Sequence, residues 1–167
     1  MSAVEVIEEV NREFSEKFGR DYGGMVKEYR MEDAEIALVA LGSTAGTIQV
    51  MVDELRSEGI KAGLVKLRFF RPFPAEYFKN LTARIKGVGI IDRDISFGYE
   101  GAVASEIKAA MYMSGRYVPT VNFVCGLAGR DITHQHIRKM FDEVRKCADG
   151  GKFDALMFSD LRWNVSC

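Results

Sequence analysis

Cysteine is scarce in this chain, histidine is scarcer, and no stretch stays apolar for long. Cys125, Cys147 and Cys167 stand about twenty residues apart, so neither a CxxC metal pair nor a disulfide framework can be drawn. Iron-sulfur and structural zinc sites within the chain are therefore not expected. His134 and His136 are the only histidines, and their i, i+2 spacing sends them to different sides of a helix rather than toward one ion. No nucleophile has a base placed beside it by the sequence, and no catalytic dyad or triad can be assembled. The apolar runs, such as Ile36–Leu41, are far too short to cross a bilayer, and MSAVEVIEEVNREF is acidic and amphipathic rather than a basic leader, so a cytoplasmic protein is expected. A formal net charge of -1 with scattered basic residues indicates neither nucleic acid nor a membrane as partner. There is no internal repeat and no low-complexity segment.

What is present is a rhythm. Four times an apolar run breaks into a turn rich in Gly, Pro and charge and then into helical apolar spacing: ALVALGSTAG, LRFFRPFP, VGIIDRDISFGYEG and NFVCGLAGRD. That is the pattern of a mostly parallel α/β sheet with its functional loops at one edge. At 167 residues and 47% hydrophobic, the chain can bury one proper core.

The pattern divides the chain into three parts. Residues 1–34 are a helix, with Val4, Ile7, Val10, Phe14 and Phe18 on its apolar stripe, followed by a connector without sustained period. Residues 35–150 are the α/β domain. Residues 151–167 are a tail whose Phe153, Leu156, Met157, Leu161 and Trp163 make it too apolar for a free linker, so it must dock. Within the domain, the strand over residues 63–70 alternates Val65, Leu67 and Phe69 with Lys66 and Arg68, which predicts a partly wet strand near an edge or against another subunit. Pro74 opens one helix and Thr133 caps the last.

The strand-end turns carry the candidate chemistry. Gly42, Ser43, Thr44 and Gly46 could receive a phosphate or carboxylate on free N–H groups, but the turn lacks the GxGxxG pattern and the P-loop lysine, and a tight turn with a Ser or Thr cap explains it better. Asp92, Arg93 and Asp94 pack three charges behind an apolar strand, which is tolerable when they pair, so Arg93 is expected to be held by a neighbouring acid. Gly98 and Gly101 let the following backbone turn closely. Arg71 before Pro72, and Arg130 with Asp131 after Gly126 and Gly129, repeat the theme of arginine on rigid or glycine-rich backbone at a strand end. These groups read either as an anion site or as Arg–carboxylate locks at an interface, and the acids beside two of the three arginines favour the locks. Cys125 ends a buried strand, where a buried thiol is inert.

The segments EKFGRDYG, EYRMEDAEIALVALGSTAGT, VDELRSEGIKAGLVKLRFFRPFPAE, IIDRDISFGYEGAVASEIKAAMY and VNFVCGLAGRDIT, in order from about residue 16 to 144, closely resemble the C-terminal portion of the α subunit of pyruvate:ferredoxin oxidoreductase. The resemblance implies a domain like the C-terminal domain of transketolase-type enzymes, a three-layer α/β/α sandwich on a five-stranded, mostly parallel sheet with one antiparallel strand. It implies an assembly that oxidatively decarboxylates pyruvate, or a related 2-oxoacid, with coenzyme A and passes electrons through iron-sulfur clusters to ferredoxin. This chain has no GDG thiamine-diphosphate motif and no cysteine cluster, so no cofactor is expected in it; thiamine pyrophosphate, Mg and the clusters are expected elsewhere in the complex. Its partners would be the other subunits or domains of the oxidoreductase, with ferredoxin met only indirectly. The family commonly shows a third glycine where this chain has Ala128 in GLAGRD. The implied role is intersubunit contact without activity alone; the other class left open is a small coenzyme A or phosphate-binding module using Arg71, Arg93 and Arg130.

Overall fold

The computed structural model describes residues 2–159. The chain opens with helix α1 (Ala3–Phe18) and continues through β1 (Val26–Tyr29), β2 (Ile36–Leu41), α2 (Thr44–Ser57), β3 (Ala62–Leu67), α3 (Ala75–Leu81), β4 (Gly87–Asp92), α4 (Ala102–Tyr112), β5 (Thr120–Val124), α5 (His134–Ala148) and β6 (Leu156–Phe158). A single 3-10 turn, Leu127–Gly129, follows β5. The strands form one sheet in the order β1-β3-β2-β4-β5-β6, parallel throughout except for the antiparallel β1–β3 pair.

The sheet is covered on both faces, which is why β2 and β4 are apolar at nearly every position rather than alternating. On one face, Ile48, Met51, Val52 and Leu55 of α2 and Ile137, Met140, Phe141 and Val144 of α5 pack on Leu38, Leu64 and Phe123. On the other, Phe78 and Leu81 of α3 and Ile107, Ala110 and Met111 of α4 pack on Val39, Val65, Val88 and Ile90. Each stripe recurs at helical spacing, so burial rather than intrinsic propensity holds these helices. Thr133 caps α5 reciprocally with His136, as expected of a Thr just ahead of the apolar stripe.

Three expectations are corrected. The sheet has six strands, not five. The extra pairing comes from short segments at the two ends of the domain, where three or four residues are too few to show a period. The strand at residues 63–70 does lie near an edge, between edge strand β1 and β2, but it is not partly wet: β3 is buried except at half-buried Lys66, whose alkyl stem can lie along apolar surface while its ammonium reaches water. Arg68 lies past the strand end and donates to the Tyr22 carbonyl at 2.6 Å. The connector, read as having no sustained period, holds a strand of its own. It supplies β1, the antiparallel strand, and then binds α2 through Arg56, which donates to the Ala62 carbonyl at 2.6 Å, to Asp33 at 2.6 Å and to the Arg30 carbonyl at 2.7 Å. The tail contributes β6 alongside β5, while Leu161 and Trp163 lie outside the described residues.

Candidate functional site

All five parallel strands end at one edge of the sheet, and the four turns singled out in the sequence meet there. Because the chain moves from β2 outward to β3 and from β4 outward to β5, the sheet changes winding direction between neighbouring β2 and β4. The turns over residues 42–46 and 93–101 flank that switch point, the place where open α/β sheets open a crevice for ligands or partners.

Asp92 organises this edge. It is the last residue of β4 and 1% exposed, and its carboxylate accepts from the backbone N–H of Val103 at 2.9 Å and of Ala104 at 3.1 Å. These are first-turn amides of α4, so Asp92 does from a neighbouring strand what an N-cap side chain does locally. Asn122, fully buried in β5, donates to Asp92 Oδ2 at 2.8 Å and to the Ile90 carbonyl at 3.2 Å while its Oδ1 accepts from Gly101 N–H at 2.9 Å. Gly101 is needed for space, since a Cβ there would lie 2.2 Å from Asp92 carboxylate atoms. Burial pushes the Asp92 carboxyl up to about 6 against the pull of the Val103, Ala104 and Asn122 donors, with Asp94 adding to the rise. At neutral pH the ion therefore persists, held by three donors and by the positive end of α4.

The loop after Asp92 is fixed as well. Among the described residues Arg93 reaches the Gly126 carbonyl, at 3.4 Å, rather than Asp92 or Asp94, which corrects the expected acid partner. The physical reason is that the backbone amides of α4 already satisfy Asp92, while Asp94 is exposed to water. Ser96 N–H donates to the Glu100 carbonyl at 3.1 Å, Tyr99 N–H donates to the Ser96 carbonyl at 3.0 Å, and Gly98 takes a φ of +70° between them. Glu100, 8% exposed, is ion-paired with Lys108 of α4. This tied loop holds Phe97 entirely in water and Tyr99 64% exposed.

The remaining candidates sort by what they touch. Gly42, at φ +87°, and exposed Ser43 make the turn before α2, but Ser43 has helical backbone and no side-chain cap bond, so the expected Ser or Thr cap is absent; Thr44 is buried in the first turn. Arg71 pairs with Glu106 of α4 at 2.7 Å and lies over the Phe70 ring at 4.2 Å. Arg130 and Asp131 are exposed beyond the 3-10 turn, and Arg130 is engaged in an interaction of its own. In that turn Ala128 stands at φ +54°, the left-handed region where glycine is at ease and alanine is strained. Cys125 and Cys147 are buried in the core, and no group of three or more His, Cys, Asp or Glu among the described residues could hold a metal. Among the described residues no donor set for an iron-sulfur cluster or a metal-bound diphosphate is assembled. No helix among the described residues is long and apolar enough to cross a membrane.

Sequence reasoning missed Asn122, Glu100 and Phe97. An Asn inside the run VNFV was the available signal, because a polar side chain in a doubly covered strand must have a partner. What the edge can do chemically is limited: it has a buried acid committed to three donors, arginines bound to neighbouring groups, and exposed aromatics. That is the composition of a contact surface with a few rigid anchors.

Residues 34–137 match the family described as pyruvate:ferredoxin oxidoreductase core domain II. The chain is 47% identical over 139 residues to pyruvate synthase subunit PorA of Thermotoga maritima, covering 83% of this chain and 35% of that protein. It is 39% identical over 152 residues to ketoisovalerate oxidoreductase subunit VorA of Pyrococcus abyssi, covering 91% of this chain and 38% of that protein. The chain thus spans little more than a third of the length of these curated relatives. Among solved structures, it superposes with a TM-score of 0.52 and 16% identity on 2-oxoglutarate:ferredoxin oxidoreductase from Magnetococcus marinus, covering 79% of this chain and 21% of that one, a likeness of fold.

Proposed function

Because the chain belongs to the pyruvate:ferredoxin oxidoreductase core domain II family, we propose that it works as that domain within the α subunit of a 2-oxoacid:ferredoxin oxidoreductase. Its share of the reaction is to contribute intersubunit contacts, made by the strand-end loops. The observation that carries this reading is the tied loop at the winding switch, which spends a buried carboxylate, a buried amide and a glycine on holding exposed Phe97 and Tyr99 still. Such rigidity lowers the ordering cost of binding a partner. The arginines that a phosphate or coenzyme A site would need instead bind Glu106, the Gly126 carbonyl and a further group of the protein, which supports locks over an anion module.

Decarboxylation of a 2-oxoacid needs a thiamine ylid as electron sink and a redox centre beside it. In this proposal thiamine pyrophosphate, Mg and the clusters are held by other parts of the complex, and this chain's residues orient those parts against one another. The PorA and VorA relatives carry the names of different 2-oxoacids, and in this proposal the substrate class is a 2-oxoacid.

The test is turnover. Purified alone, with thiamine pyrophosphate, Mg²⁺, coenzyme A and pyruvate added, the chain gives no reduction of ferredoxin, and adding the remaining polypeptides of the enzyme restores it. Turnover by the chain alone, or saturable binding of coenzyme A to it alone, contradicts the proposal. Arg130→Ala lowers the yield of assembled enzyme while leaving the domain folded by circular dichroism; full assembly by the variant removes this loop from the contact.

A further inference from the structure

α1 is a complete helix whose outer side no other element among the described residues covers. Ser2 and Glu5 form a capping box at its start, Gly19 closes it in the left-handed conformation, and none of its residues is buried. It is tied to the body by Glu8, which accepts from Met25 N–H at 3.0 Å, and by Asn11, which donates to Asp21 at 3.2 Å. At 100° per residue Ile7, Asn11 and Ser15 share the half-buried inner side. Val6, Val10 and Phe14 follow one another at i+4 and form a ridge beside it, exposed by 42%, 57% and 38%, with Phe18 at 63% continuing its end. Between this ridge and Tyr22, Arg68 and Phe69 runs a depression of about 410 Å³. A sixteen-residue helix is marginal in water without an apolar face packed on something.

Charge indicates what covers it. The helix carries five glutamates against Arg12 and Lys17, and Glu9, Glu13 and Glu16 run along the outer side of the ridge. Among the described residues exposed Glu13 pairs with Lys17, while half-buried Glu9 and exposed Glu16 form no ion pair. A second copy would bring two acid-bordered ridges together, and an anionic lipid surface would repel the same glutamates. We propose that the ridge of α1 docks a polypeptide surface of another part of the assembly, an apolar strip bordered by lysine or arginine. This rests on the reading that the chain works inside a larger enzyme, and it assigns to that assembly a contact separate from the strand-end loops, with its own partner chemistry.

The experiment uses the full 167-residue chain and two synthetic helical peptides with the same leucine strip, one bordered by lysine and one by glutamate. The lysine-bordered peptide is expected to bind at least about tenfold tighter, a difference of about 1.4 kcal/mol. Val10→Ser with Phe14→Ser weakens it about tenfold or more, and Glu9→Lys with Glu13→Lys and Glu16→Lys reverses the preference between the peptides. All five side chains lie on the unburied helix, and circular dichroism checks that each variant stays folded. Equal affinity for the two peptides overturns the proposal, as does binding that survives the Val10 and Phe14 changes. Concentration-dependent dimerisation abolished by those same changes assigns the ridge to a second copy and also overturns it, and so does binding to phosphatidylserine vesicles. No turnover enters the readout, so failure here leaves the assembly reading standing, and failure of reconstituted turnover leaves this contact measurable.

Discussion

Asp92 shows how a single buried acid can serve as a helix cap, a loop anchor and a source of pH dependence. Its carboxyl is raised from 3.8 to about 6, so the folded state holds the proton more tightly than the unfolded chain does. The sign follows: this group's contribution to stability is greatest below pH 4 and declines as pH rises to about 6, by about 3 kcal/mol in all. Asp92→Asn should flatten that part of the profile in urea unfolding at pH 4.5 and pH 7, and an unchanged slope would show that another group titrates there. The surface acids Asp33, Asp53 and Glu58, held below the usual range chiefly by hydrogen bonds from Arg56, Tyr29 and Arg138, act in the opposite direction as pH falls. Ala128 gives a second prediction. At φ +54° it carries the steric penalty that glycine avoids, so Ala128→Gly should raise stability by about 1 kcal/mol in chemical unfolding, and a loss would mean that the methyl group packs usefully. The strand-end glycines and charges were legible in the sequence because turns advertise themselves. Their partners were not, since Asp92 meets Asn122 and Val103 only after the sheet and α4 are assembled.

The helices α2, α4 and α5 and the strands β2, β4 and β5 could be read from periodicity because each buries a full stripe or a continuous run. β1 and β6 could not, having four and three residues whose pairing depends on β3 and β5 being in place. β1 is secured by polar contacts more than by apolar pattern. Glu28 is destabilised by burial, yet Arg84 and Tyr77 hydrogen bonds outweigh this and hold its carboxyl below the usual range, joining β1 to α3. On the other side Tyr29 donates to Asp53 at 2.8 Å, and Arg56 binds the segment that follows. Arg56→Ala should therefore cost about 1 to 3 kcal/mol and speed amide exchange in β1 and the 30–34 segment more than in β2. Exchange that rises equally in all strands would mean that Arg56 supports the whole sheet. At the other end Thr133→Ala, which removes the reciprocal cap with His136, should cost about 1 kcal/mol without changing the α5 stripe, read by thermal unfolding.

As a whole the molecule is well packed within and incomplete at its surface. Two buried clusters fill both sides of the sheet, while Phe97, Tyr99, Leu41, Phe158, the ridge of α1 and, at the far end of α4, Tyr112, Met113 and Tyr117 leave apolar material in water. Leu41, Phe158, Phe97 and Tyr99 belong to the edge where the parallel strands end, and Arg68 and Phe69 carry that edge toward α1. Scattered exposed apolar residues need no explanation, but a run of them along one edge marks a contact surface. The family could be recognised from the ordered segments, whereas the location of the contact required the fold, because the four turns are spread over some ninety residues and only the parallel sheet brings them together. Amide hydrogen exchange on this chain, free and then reassembled with the remaining polypeptides of the oxidoreductase, tests that location most directly. Protection on assembly is predicted in residues 42–46, 93–101 and 126–131, with the strands unchanged; assembly that leaves those three loops exchanging as fast as in the free chain would contradict it.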